Sequence, residues 1–170
     1  MSIAESIANA SAYLTEHPDE ARYRDSPARA RLTEGLATTV EGPDGAYAQT
    51  DMPTSVGGGN AAPSPGWLLR AAEASCVATL VAMRAAAEGI DLRSVDVTVD
   101  SESNDLGILG LDPEVPAGPL STRVVVAIDA LGRGADELEP LARWALEHCP
   151  VTDAVARSVP IELEVVPAER

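Results

Sequence analysis

Residues 64–89 dictate the architecture of this chain. Ser64 suits a helix N-cap and Pro65 the first helical position, because proline has no amide hydrogen to leave unsatisfied there. Gly89 suits the C-terminal stop. Between them Leu68, Ala72, Cys76, Leu80 and Met83 recur every three or four residues, and Leu69, Val77 and Val81 widen the stripe. Small residues at Ala71, Ala72, Ala74, Ser75, Ala78 and Ala82 would let another element approach closely. The pattern predicts a long central helix with Cys76 turned inward near its middle.

The rest of the molecule must cover that helix. With 170 residues, 45% of them hydrophobic, the chain reads as one domain with an aliphatic core, since it has no phenylalanine. A net charge of −15 at pH 7 argues against binding nucleic acid or an anionic membrane surface. No apolar run approaches 18 residues, so no membrane span is expected. The segment Met1–Glu5 lacks the basic and apolar regions of a signal peptide, which makes the cytoplasm the expected location. In that compartment the two cysteines, Cys76 and Cys149, are not expected to form a structural staple. They are either two independent buried thiols or a redox pair brought together by the fold.

Read in order, residues 2–14 have helical spacing, with a short helix starting at Pro18, and residues 1–27 form a helical N-terminal extension. Residues 28–50 predict a β-hairpin whose strongest signal is the turn Pro43-Asp44-Gly45. The glycine run Gly57-Gly58-Gly59 lacks the GxxxxGK[ST] pattern and reads as a tightly turned entry to the central helix rather than a phosphate loop. Val95, Val97 and Val99 alternate with polar residues as in a half-buried strand, and Val124, Val126 and Ile128 predict another over 120–130. Residues 102–119 read as a loop and 137–147 as a helix with Leu138, Leu141, Ala142 and Ala145 inward. Pro150 predicts a further helix start, which puts Cys149 beside the N-cap, where free amide hydrogens favour a thiolate. Residues 160–166 alternate and predict a final strand. The fold class is α+β with antiparallel pairing, and 28–170 form the main domain.

The segment Ser64-Pro65-Gly66-Trp67-Leu68 leading to Cys76, the motif Cys149-Pro150-Val151-Thr152 and the element order resemble the OsmC/Ohr family, of which this chain looks like a divergent member. The resemblance covers residues 28–166. It implies an intertwined homodimer in which each half sets a curved antiparallel sheet against the central helix. It implies a thiol-dependent reductase of organic hydroperoxides, needing no cofactor and reset by a dithiol or lipoyl-type reductant. Cys76 would attack the hydroperoxide and become a sulfenic acid, and Cys149 would resolve it as a disulfide. By the same resemblance an arginine of the N-terminal strand supports the attacking thiolate, with Arg31 the candidate ahead of Arg29. A glutamate just after the family's proline orients that arginine, but here the position is Gly66. Glu73, three residues before Cys76, is the candidate substitute.

Two other readings stand beside this one. Gly66 in place of the glutamate fits a non-catalytic relative that binds a small apolar or thiol-bearing ligand in the dimer cleft. A zinc site built from Cys76, Cys149 and His148 is weaker, because adjacent His148 and Cys149 rarely point at one metal.

Overall fold

The computed structural model describes residues 1–167. In chain order the elements are α1 (Ile3–Glu16), β1 (Arg29–Leu32), β2 (Thr38–Glu41), β3 (Tyr47–Thr50), α2 (Pro65–Ala87), β4 (Leu92–Glu102), α3 (Asp105–Ile108), β5 (Ser121–Ala130), α4 (Ala135–Glu147) and α5 (Pro150–Ala156). All strand pairing is antiparallel: β1-β2-β3 form one sheet, and β4-β5 form a long hairpin.

The core sits where α2 crosses the β4-β5 hairpin. Ser64 Oγ accepts the Trp67 N–H at 3.2 Å and starts the helix, and Gly89 takes a left-handed φ of +68° just past its end. Val95, Val97 and Val99 pair across the ladder with Ile128, Val126 and Val124, so both strands turn one apolar face toward α2. Val77, Val81 and Ala85 of α2 are fully buried there, and Leu138, Leu141 and Ala145 close the layer from α4. Burying each of these larger aliphatic side chains contributes about 1.5–3 kcal/mol. By length and composition α2 could cross a membrane, contrary to the sequence expectation. Its Val77–Ala85 face is instead packed against β4 and α4, as in a core helix.

The helix is rotated from the predicted stripe. Its buried line is Glu73, Val77, Val81 and Ala85, while Ala72 and Met83 are exposed and Leu68, Cys76 and Leu80 are half-buried. Periodicity finds an amphipathic helix, but a helix apolar on most sides leaves the choice of inward face to its neighbours.

Two further expectations change. The stretch before the Pro43 turn is two strands, because the chain reverses at Glu34-Gly35, where Gly35 has φ +57° and Thr33 N–H donates to Ala37 O. Residues 160–166 form no strand: the segment is exposed and pairs with no β edge of this chain, and an alternating sequence cannot form a ladder without a partner strand.

The glycine-rich loop is organised by Asp51. Its buried carboxylate accepts the N–H groups of Met52 (2.7 Å), Gly59 (3.0 Å) and Ala61 (3.0 Å), which consumes donors that a phosphate loop would present. Those bonds, led by Ala61 and Met52, hold the Asp51 carboxyl below its usual range. A Cβ at Gly58 would sit 1.9 Å from Met52 O, so that turn requires glycine.

Candidate active site

Two helices bring the cysteines together. α2 carries Cys76 at mid-length, half-buried, with Glu73 one turn earlier. α5 begins at Pro150 and makes Cys149 its N-cap, fully buried against Val77, Val81 and Ala145. Thr152 N–H donates to Cys149 Sγ at 3.4 Å, the same capping geometry a serine would give. Cys76 packs against the cluster that contains Cys149, so each thiol affects how readily the other ionises, and the Val151 N–H acts on both.

The sulfurs are electrostatically unequal. Burial and the neighbouring Cys149 push the Cys76 thiol up, only partly offset by the Val151 N–H. Burial also pushes Cys149 up, but the Thr152 side chain and N–H, the Cys76 thiol and the Val151 N–H outweigh it and bring Cys149 below the usual thiol range. In the chain by itself Cys149 is therefore the more readily ionised of the two sulfurs. An attacking thiolate at Cys76 requires a cation that these surroundings do not include.

Arg31 does not supply it within the chain. It lies on the exposed strand β1, which packs mainly on β2, and it is not among the groups acting on the Cys76 thiol. Glu73 is present but plays a different part from the one expected. It is 2% exposed, and its Oε1 accepts the Thr152 hydroxyl at 3.1 Å, so it ties α5 to α2 rather than orienting an arginine. Nothing local in the sequence joins two residues 79 positions apart. Gly66 leaves open space: a Cβ there would meet only Ser64 Oγ at 3.9 Å and Arg70 Nη1 at 4.0 Å. His148 is stacked on Trp144, with Nδ1 2.8 Å from Trp144 O. Among the described residues no group of histidine, cysteine and acidic side chains is placed to hold a metal ion.

Sequence reasoning missed Arg70. It is half-buried on α2, and its Nη1 donates to Ser101 Oγ at 3.2 Å beside a cavity of about 240 Å³.

The family model described as OsmC-like protein matches residues 57–164, well over half of the chain. No curated protein matches. An organic hydroperoxide resistance protein OsmC from Legionella pneumophila is 25% identical, with a TM-score of 0.56 over 79% of this chain and 90% of that one. An OsmC-like protein from Mycoplasma pneumoniae is 14% identical but has a TM-score of 0.66, covering 79% and 89% of the two chains. The organic hydroperoxide resistance protein OhrB of Bacillus subtilis is 19% identical, with a TM-score of 0.51 and coverage of 78% and 90%. The last two likenesses are likenesses of fold.

Proposed function

The chain belongs to the OsmC-like protein family, and from that premise we propose that it reduces organic hydroperoxides to alcohols through Cys76 and Cys149, working as a homodimer. The observation that carries this reading is that the fold packs Cys76, from mid-α2, against the buried cluster that contains Cys149, the α5 N-cap. The Cys76 thiolate attacks the distal oxygen of R–O–O–H. The O–O bond breaks, the alkoxide takes a proton and leaves as alcohol, and Cys76 becomes a sulfenic acid. The Cys149 sulfur then attacks the Cys76 sulfur, hydroxide leaves as water, and a disulfide forms. A dithiol, such as a lipoyl group, returns two electrons and two protons.

The homodimer is supported by surface area. The chain exposes 12774 Å², whereas a folded monomer of 17.6 kDa exposes about 7,900 Å². Part of the excess is a stripe along α2, where Leu69, Ala72, Ser75, Thr79 and Met83 are exposed and Cys76 lies at the border. A second copy seated there covers Cys76 and is the source of the missing cation, which we assign to the partner's Arg31.

A second reading is favoured by Gly66 and by the lack of a cation at Cys76 within the chain: a non-catalytic protein that binds an apolar or thiol-bearing ligand at the same cleft. The deciding experiment is reduction of cumene hydroperoxide with excess dithiol, beside Cys76→Ser. Turnover lost in Cys76→Ser is the expected result. Equal rates for the two proteins, with both wild-type thiols confirmed reduced, would leave the second reading.

A further inference from the structure

Among the described residues two carboxylates are withdrawn from water, Asp51 and Glu73. Asp51 is explained by the three loop N–H groups it accepts. Glu73 is different. It lies on the buried line of α2, one turn before Cys76, and its bonded partner is a hydroxyl on a helix distant in sequence. Withdrawing a carboxylate from water is costly, and a hydrogen bond to the charged group offsets part of that cost.

The partner helix, α5, has little else of that kind. It is 7 residues long, too short to be stable by itself. Residues 153–156 are exposed, and the ion pair at that end, Arg157 to Asp153, does not reach another element. The helix rests on the molecule by its first turn. There Cys149 belongs to the apolar cluster of Val77, Val81 and Ala145, Val151 packs against it, and Thr152 reaches Glu73. Among the described residues, Thr152 Oγ1 to Glu73 Oε1, at 3.1 Å, is the one side-chain hydrogen bond from α5 to another element. Apolar contacts are non-directional and let a short helix roll or slide, whereas a hydrogen bond weakens steeply out of line.

Thr152 also holds the sulfur, because its N–H donates to Cys149 Sγ at 3.4 Å. One residue is thus bonded at its amide to Cys149 and at its hydroxyl to α2, the helix that carries Cys76. A disulfide demands Cα atoms about 4.4–6.8 Å apart and side chains that converge. Where α5 starts relative to α2 therefore decides whether Cys149 can reach Cys76.

We infer that Glu73 is a positioning residue for Cys149: through the Thr152 hydroxyl it holds the start of α5 where the Cys149 sulfur can bridge to Cys76. The inference deepens the proposed function and rests on it for the part Cys149 plays as the resolving thiol.

The test measures the bridge apart from hydroperoxide chemistry. The full-length protein and its variants are equilibrated with mixtures of reduced and oxidised dithiothreitol, and thiol trapping with mass spectrometry reads the fraction bridged. In that exchange Cys76 and Cys149 give up two electrons and two protons to form one S–S bond, and oxidised dithiothreitol takes them up as two thiols. Glu73→Ala and Thr152→Val remove the bond from either end, and Thr152→Val keeps the N–H on Cys149. Each should shift the equilibrium toward the dithiol at least about threefold, a part of the strength of one hydrogen bond to a charged acceptor. Glu73→Gln and Thr152→Ser keep an acceptor and a hydroxyl, and each should stay close to wild type. The double variant Glu73→Ala/Thr152→Val should be no worse than either single one, since both remove the same bond. An unshifted equilibrium in Glu73→Ala or Thr152→Val, a Glu73→Gln protein as impaired as Glu73→Ala, losses that add in the double variant, or no bridge in the wild-type protein at any dithiothreitol ratio would each overturn the inference. If Glu73→Ala does not fold, Thr152→Val against Thr152→Ser decides. A Glu73-dependent bridge without reduction of cumene hydroperoxide would keep the inference and discard the peroxidase. Hydroperoxide reduction with a bridge indifferent to Glu73 would do the reverse.

Discussion

At the scale of single residues, the site depends on how the surroundings of the two sulfurs make them unequal. Cys149 is shifted below the usual thiol range and Cys76 above it, so the pH midpoint of Cys149 alkylation should lie below that of an ordinary thiol, although its burial keeps the rate itself slow. Thr152→Val removes the hydroxyl that helps hold Cys149 down. The alkylation profile of Cys149, read by mass spectrometry, should move to higher pH, and an unmoved profile would deny Thr152 this role. Arg31→Met should lower hydroperoxide turnover by at least about tenfold, in line with the loss of one charged stabilising group, while Arg29→Met leaves it near wild type. Asp51 gives a second pH effect. Its carboxyl is depressed in the fold, so its contribution is present above the ordinary aspartate pKa and lost as pH falls through the folded value. Asp51→Asn should therefore be less stable than wild type at pH 7, with the gap in denaturant midpoint closing in acid.

At the scale of elements, α2 and the β4-β5 hairpin form the scaffold, and α4 locks them. Leu141 is 2% exposed within that layer, and Leu141→Ala should cost about 2–5 kcal/mol in urea unfolding. The C-terminal segment behaves differently. Ile161, Leu163, Val165 and Val166 are exposed, although their alternation suits a strand. The open edges of the chain's own two sheets leave this segment unpaired, and in the proposed homodimer the sheet edges of a second copy become available to it. Amide exchange across 160–166 should thus be slow in the dimer. Exchange as fast as in an unstructured peptide would show that the segment remains unpaired.

At the scale of the whole molecule, a single copy buries too little. The area excess and the exposed stripe on α2 both support the proposed homodimer, and Thr79→Arg, which places a long cation in the middle of that stripe, should then shift the light-scattering mass from dimer toward monomer. If Cys76 depends on the partner for its cation, the same variant should lose turnover in proportion to the monomer formed. Full activity in a monomeric Thr79→Arg protein would place the cation elsewhere.

What the sequence determined by itself was local. Ser64-Pro65 and Gly89 bound the central helix, alternating valines mark β4 and β5, and Cys149-Pro150 sets a cysteine at a helix start. Each is a preference of neighbouring residues for one backbone geometry. Tertiary structure decided the rest: which face of α2 is buried, that Glu73 bonds Thr152 rather than an arginine, that Arg70 faces a cavity, and that residues 160–166 find no partner in their own chain. These outcomes depend on elements distant in sequence meeting in space. A helix with apolar residues on most sides, a buried carboxylate and an unpaired strand each admit several local solutions, and only the packing of the other layers selects among them.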